Sequence, residues 1–250
     1  MIPRSEAVIP QVLAWRALRA LSKHFEVEEL LGLLARNGVH VSRAELKRYI
    51  AGATLPPQLK AVHVIQALKA EDVFSFVVKS KVRVDEDGVI NIVELAHDED
   101  VLSIAMAEAY LSFFRGVDVV LTAAVNGVPV ASLLAWVLDA RLAVARRERE
   151  SQSMKYLSAQ IFHPDPPSVV HLYLPASQVP RGSRVLIADD LLRTGRTLRA
   201  LLNLAYEADA HPVGVFAVIS LTNAWRSVIT EDIRALILYN MAHAPSSPPI

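Results

Sequence analysis

Apolar residues recur at helical spacing through the first seventy positions and in short unbroken runs after position 115. The chain therefore reads as helices followed by alternating strands and helices. From Ile9 to Lys23, Val12, Leu13, Leu18 and Leu21 fall near one face, with Arg16, Arg19 and Lys23 on the others. A second helix is expected from Val27 to Arg36, ended by Asn37-Gly38 because both residues tolerate positive φ. After the short connection Val39–Val41, Ser42 and Glu45 form a capping box that opens a third helix, Arg43 to Ala51. Leu46 and Ile50 point inward from it, and Arg43, Lys47 and Arg48 face largely outward. Gly52 stops this helix and Pro56-Pro57 forces an extended path. A further helix covers Leu59 to Leu68, and a boundary near Ala70 divides the chain into 1–70 and 71–250.

In the second part, Gly88 to Glu94 alternates as a first strand and Ala96 to Phe114 reads as one long helix. Strands follow at Val117–Thr122, Arg141–Ala145, Val169–Leu174, Val185–Ala188, Val213–Ser220 and Ile233–Tyr239, with helices at Val130–Leu138 and Leu198–Ala208. Alternation of this kind is an α/β pattern: a mainly parallel sheet with helices on both faces, preceded here by a small all-α domain. The polar stretch Ser151 to Pro167 is expected to be a functional or mobile loop, and the Pro- and Ser-rich tail Ala244 to Ile250 a frayed end.

Composition narrows the class. The 250 residues are 52% hydrophobic and 21% charged, as in globular proteins. There is no cysteine, hence no disulfide framework and no thiolate metal site. Charged residues interrupt the apolar positions near the N-terminus, so no signal peptide is expected, and no run approaches the ~20 apolar residues of a membrane span. A cytoplasmic protein without membrane contact is the expectation. Net charge is zero but unevenly spread: residues 1–70 carry ten Lys and Arg against five Glu, and the remainder is correspondingly acidic. A basic helical segment on an acidic remainder suggests a nucleic-acid-facing module, with a dimerisation cap as the alternative.

The chemistry concentrates in Arg184 to Leu198. Val185–Ala188 suit a buried parallel strand; Asp189 and Asp190 then lie where the strand ends, at the edge of an α/β sheet where ligands bind. Adjacent carboxylates repel, and a ribose diol or a metal-bound sugar would compensate. Leu191, Leu192, Arg193, Thr194, Gly195, Arg196 and Thr197 form a loop with hydroxyls and approachable backbone. It leads into a helix whose first N–H groups favour a phosphate. A second loop, Thr122-Ala123-Ala124-Val125-Asn126-Gly127, follows another buried strand and opens another helix, so it offers N–H groups to a pyrophosphate. Arg146 and Arg147 close the next strand, as phosphate ligands or as a solvated pair. Lys155, in the polar stretch, is either a pyrophosphate-neutralising residue or a solvated lysine, and Trp225 either stacks on a purine or fills the core. His163 and His171 lack acidic partners at metal spacing, so no resident metal is expected.

The run Val185 to Thr197 resembles the 5-phosphoribosyl pyrophosphate (PRPP) signature of type I phosphoribosyltransferases: apolar strand, Asp-Asp, spacers, then Thr-Gly-x-Thr. The resemblance implies that the two acids hold ribose hydroxyls and that the loop holds the 5′-phosphate. It also implies that Thr122 to Gly127 binds pyrophosphate, that Mg²⁺ arrives with PRPP, and that the polar stretch closes over it. Within the family the chain is similar to the Gram-positive purine repressor and bacterial xanthine phosphoribosyltransferase group. It shares Thr122-x-x-x-x-Gly127-Val128, with the small Ala124 where the xanthine enzyme has an acid. The xanthine enzyme's Glu-Lys-Ser-Phe near Leu221–Ala224 is absent. The segment Val41 to Pro56 resembles the recognition helix of lambda-repressor-like domains, which implies that Ser42, Arg43 and Lys47 approach bases or phosphates and that Arg48 meets the backbone.

These features together lead to the expectation of a dimeric regulator of nucleotide metabolism that binds operator DNA and senses PRPP or a nucleotide. An active purine phosphoribosyltransferase, in which Asp189, Asp190 and Lys155 would be the catalytic residues, is the alternative. A bifunctional protein is a third possibility.

Overall fold

Local capping signals set the ends of the first helices. The computed structural model describes residues 4–83, 92–164 and 166–243. It begins with α1 (Arg4–Leu21), α2 (Val27–Arg36), α3 (Arg43–Ile50) and α4 (Gln58–Ala70). Gly38, at φ +76°, ends α2: its N–H donates to Ala35 O and that of Val39 to Leu34 O, the paired bonds of a Schellman motif. The capping box of α3 forms as expected, with Glu45 N donating to Ser42 Oγ at 3.2 Å and Ser42 N to Glu45 Oε2 at 3.0 Å. Gly52, also at positive φ, closes α3 and packs on the Trp15 ring. Leu18, Leu21, Leu30, Leu34, Leu46, Ile65 and Leu68 are all buried, and each such leucine contributes about 1.5–3 kcal/mol relative to exposure.

Three more helices follow: α5 (Val73–Lys81), α6 (Ile92–His97) and α7 (Glu99–Phe113). Two sequence expectations are corrected here. Residues Ile92 to Glu94, read as the end of a strand, are helical, whereas the rest of that reading lies outside the described residues. The long helix from Ala96 is interrupted at Asp98, whose carboxylate accepts the N–H groups of Asp100 at 2.9 Å and Val101 at 3.1 Å and so starts α7 afresh.

The chain separates into two compact units, Met1–Ser112 and Phe113–Ile250, a later division than the one suggested by composition at 70/71. Ionic contacts draw α5 and α7 into the helical unit. Lys23 Nζ meets Asp100 Oδ1 at 2.7 Å, Lys81 Nζ meets Asp98 Oδ2 at 2.8 Å and Asp100 Oδ2 at 3.2 Å, and Lys69 Nζ meets Glu108 Oε1 at 3.3 Å. Asp100 is buried, and two ammonium groups compensate its charge.

The second unit holds β1 (Val119–Ala123), α8 (Val128–Val137), β2 (Arg141–Ala145), β3 (Tyr156–Pro164), β4 (Pro167–Pro175), β5 (Arg184–Leu192), α9 (Arg196–Glu207), β6 (His211–Ser220) and β7 (Arg234–Asn240). Five strands make a sheet in the order β2-β1-β5-β6-β7, parallel throughout. Its apolar runs, such as Val185 to Ala188, are buried, as a strand covered on both faces requires.

Two further expectations change. The stretch read as a loop is largely β3, and Val169–Leu174 belongs to β4, which pairs antiparallel with β3 outside the main sheet. Alternation explains the ribbon: Leu157, Ala159 and Ile161 point into the core that includes α9, and Ser158, Gln160 and Phe162 point outward. Among the described residues, no helix is long and apolar enough to cross a membrane.

Candidate functional site

The carboxyl ends of β1 and β5 lie side by side, because these strands are neighbours in register from Val119–Val185 to Leu121–Ile187. In a parallel α/β sheet this edge is where loops and helix N-termini converge on ligands. The two loops singled out in the sequence are therefore brought to one place. Thr122 is buried at the end of β1, and Ala124 N donates to Ala145 O at 2.9 Å, which anchors the start of the first loop. The Ala124–Val125 peptide is cis. Val125 and Asn126 are exposed at the loop tip, with Val125 79% accessible. Gly127 then caps α8, with Pro129 in its first turn.

At Gly127 the first loop comes close to β5. A β-carbon there would stand 2.5 Å from Thr122 Oγ1 and 3.1 Å from Asp189 Oδ1. Only glycine leaves the space between that hydroxyl and that carboxylate open.

Asp189 and Asp190 are not at the end of the strand, as the sequence suggested, but inside it: β5 continues to Leu192, with Asp189 opposite Ala217 and Leu191 opposite Ile219. Leu192 is buried and extends the apolar pattern past the charges. Asp190 is 6% exposed, and its N–H donates to Asp189 Oδ1 at 3.0 Å. Burial, and then the neighbouring Asp190 carboxylate, hold the Asp189 carboxyl well above the ordinary carboxylate range. No salt bridge among the described residues neutralises the pair. The pair is thus arranged to accept hydroxyl donors or a cation. Its carboxylate oxygens and the Thr122 hydroxyl are hard donors that suit Mg²⁺ with water in its remaining positions. The described residues include no group of three or more His, Cys, Asp or Glu that could hold a metal.

The loop after β5 places Arg193 and Thr194 at the surface and Gly195 at φ +76°, the left-handed start of α9. Arg196 begins α9, with Nε on Thr194 Oγ1 at 2.9 Å and Nη1 on Phe162 O at 3.4 Å, and Thr197 is partly buried in the first turn. The segment resembles an anion cradle: a tight glycine turn, two hydroxyls, and the free N–H groups of a helix start.

The remaining sequence candidates are more dispersed. Arg146 makes a two-way backbone bridge with Tyr173 and pairs with Glu150, and Arg147 is exposed. Arg149, not singled out in the sequence, lies 4.6 Å from the centroid of the Tyr173 ring. Lys155 is exposed and contributes its carbonyl to Ala176 N at 3.0 Å; no hydrogen bond or ion pair among the described residues joins it to the acidic pair. Trp225 is 1% exposed, its Nε1 donates to Ser220 Oγ at 3.1 Å, and the Arg226 guanidinium covers a face of the ring at 4.9 Å. The base-stacking reading of Trp225 is corrected: the ring is core. In the helical unit, Ser42 at the N-cap of α3 and Arg43, Lys47 and Arg48 on that helix are all exposed. Arg43 pairs with Glu28 at 2.9 Å, whereas Lys47 and Arg48 have no carboxylate partner among the described residues.

Residues 88–236 match the family model described as the phosphoribosyl transferase domain. Over 193 residues, 74% of this chain and 67% of the relative, the chain is 23% identical to the purine biosynthesis transcriptional repressor PurR of Bacillus subtilis. Over 104 residues it is 38% identical to the xanthine phosphoribosyltransferase of Chloroflexus aurantiacus, a match spanning 41% of this chain and 48% of that enzyme. The crystal structure of adenine phosphoribosyltransferase from Rhodothermus marinus shares the fold, with a TM-score of 0.59 and 20% identity over 67% of this chain and 98% of that one.

Proposed function

Because the chain belongs to the phosphoribosyl transferase domain family, we propose that it is a DNA-binding transcriptional regulator of nucleotide metabolism whose second unit senses PRPP or a nucleotide. In this reading Asp189 and Asp190 accept hydrogen bonds from the ribose hydroxyls. Thr194 to Thr197 and the α9 N-terminus hold the 5′-phosphate, and Thr122 to Gly127 receives the pyrophosphate in the space Gly127 leaves open. A Mg²⁺ bound with the diphosphate would add positive charge beside the acidic pair and favour their ionised form.

The observation that carries the regulatory reading is the union of this cradle with an exposed cationic helix end on one chain. Capped α3 presents Lys47 and Arg48 to solvent without carboxylate partners, as phosphate contacts require. The residues following β6 support it from the other side. With Trp225 in the core and Leu221 to Ala224 lacking charge, groups that would fix and discriminate a reacting base are sparse, whereas a sensor needs only differential binding. A homodimer belongs to the same reading: α8 carries no charged residue, yet Leu133 and Trp136, the latter 62% accessible, face outward.

A gel shift on the protein's own upstream DNA, with and without PRPP, tests this reading, and PRPP is expected to change the affinity. Pyrophosphate release on incubation with PRPP and adenine, guanine, hypoxanthine, xanthine or orotate would instead establish the enzyme.

A further inference from the structure

The main sheet ends unevenly between β5 and β6. The parallel ladder runs to Leu192–Ser220, and Leu221 N adds one more bond to Leu192 O at 2.9 Å. At the next step no backbone N–H is used. The Thr222 hydroxyl takes its place and donates to Arg193 O, while Ala224 N donates to Thr222 Oγ1 at 3.2 Å. One side chain thus carries the sheet's hydrogen bonding into the turn that leads to α9.

Behind that turn the same segment forms a rigid wall. A β-carbon at Gly195 would stand 2.9 Å from Trp225 Cα and 2.9 Å from Val228 Cγ2, so the turn rests directly on backbone. The indole is fixed in turn. Trp225 Nε1 donates to Ser220 Oγ at 3.1 Å, Ser220 Oγ donates to Asn240 Oδ1 at 3.1 Å, and Asn240 Nδ2 donates to Asn223 Oδ1 at 2.9 Å. The wall therefore holds the body of the turn by packing, and the Arg193 carbonyl is held by the single hydroxyl of Thr222.

We propose that Thr222 is a positioning residue for the 5′-phosphate: its hydroxyl fixes the Arg193 peptide and so aims the N–H groups of Thr194 to Thr197 at one point. The proposal rests on the ligand reading above, and it concerns affinity at one loop only. Pyrophosphate, held by the β1–α8 loop, does not depend on it. An anion site built from backbone donors gains its strength from their alignment before the ligand arrives. Releasing the carbonyl lets the peptide rotate and spreads the donors. Arg193 and Ala224 are both at the surface, so water can satisfy the freed Arg193 carbonyl and the freed Ala224 N–H, and fold stability changes little.

The test is calorimetric titration of the full chain with ribose 5-phosphate and, separately, with inorganic pyrophosphate, for the wild type, Thr222→Val and Thr222→Ser. The expected result for Thr222→Val is a Kd for ribose 5-phosphate raised roughly fivefold to tenfold, the worth of one hydrogen bond. Pyrophosphate binding and the melting temperature should stay unchanged, and Thr222→Ser should restore wild-type affinity. An unchanged Kd for ribose 5-phosphate in Thr222→Val would overturn the positioning role. So would an equal loss for both ligands, which would mark a general structural effect. Failure of the wild type to bind either ligand would overturn the ligand reading itself, and is recognisable without the variants.

Discussion

Gly127 caps α8 and Asp189 lies within β5, yet a β-carbon at position 127 would lie 3.1 Å from Asp189 Oδ1. The space between them is bounded on its other side by Thr122 Oγ1, 2.5 Å from the same point. Gly127→Ala should fill the cradle with its methyl group and push the loop outward. Alanine's helix propensity gives no gain here, because Gly127 is the N-cap of α8, where glycine is preferred to alanine. The expected outcome is a folded protein that melts below the wild type and binds pyrophosphate at least tenfold more weakly, as calorimetry would show; a variant that melts lower but binds pyrophosphate as the wild type does would contradict the cradle.

Asp189 stands in the opposite relation to stability. Burial and the Asp190 carboxylate raise its pKa, so the folded state favours its protonated form. Stability therefore declines as pH rises from the ordinary carboxylate range through the raised folded value, because the charge must be carried in a buried, repulsive place. Asp189→Asn removes that penalty. It should raise the melting temperature at neutral pH, with a gain of about 0.5–2 kcal/mol, while it weakens ribose binding. The gain should vanish at pH 3, where the wild-type group is neutral. Thermal denaturation across this pH range is the check.

The bidentate pair at the other end of the sheet gives the contrary pH signature. Asp118 accepts from Arg184 Nη2 at 2.8 Å and from Nε at 3.1 Å, and Arg184 holds its carboxyl down to about 2. A depressed acid adds stability above its unfolded pKa and loses it as pH falls from about 4 through 2. Both side chains are nearly half exposed, so solvent screening reduces the effect. Asp118→Asn should lower the melting temperature at pH 7 and much less at pH 2, where the wild-type carboxylate is already about half protonated.

On α3, Lys47 and Arg48 differ from Arg43 in lacking a carboxylate partner among the described residues. If they meet phosphates, Lys47→Ala and Arg48→Ala should each weaken binding uniformly across DNA sequences. Each should also reduce the slope of log affinity against log salt by about one. Arg43→Ala should alter the preference among operator variants. Fluorescence anisotropy at several salt concentrations distinguishes these outcomes.

The parts of the fold legible from sequence were those with local causes. Ser42 with Glu45, and Gly38 after Asn37, set helix ends because caps act over a few residues. The apolar runs of the parallel sheet identified themselves because burial on both faces leaves no polar alternation. The break at Asp98 is not legible within the Ala96–Phe114 pattern, because a carboxylate cap resembles an ordinary exposed residue until its N–H partners are seen. The β3–β4 ribbon is hidden in the sequence because Ser158 and Gln160 face outward between inward apolar residues, and the exposed Phe162 blurs the alternation. The site residues around Asp189 could be named in advance, but the continuation of β5 through two adjacent carboxylates could not. That depends on Leu192 and on pairing with β6, far away in sequence. Trp225 and Thr222 acquire their meaning only from what packs on them.

The claim on which the account depends is that the acidic pair binds the sugar and thereby governs DNA binding. The most direct measurement is a gel shift of the upstream DNA with the Asp190→Asn protein, titrated with PRPP beside the wild type. The account predicts that the variant binds DNA as the wild type does without ligand and no longer responds to PRPP. An Asp190→Asn protein with an undiminished PRPP response would contradict it.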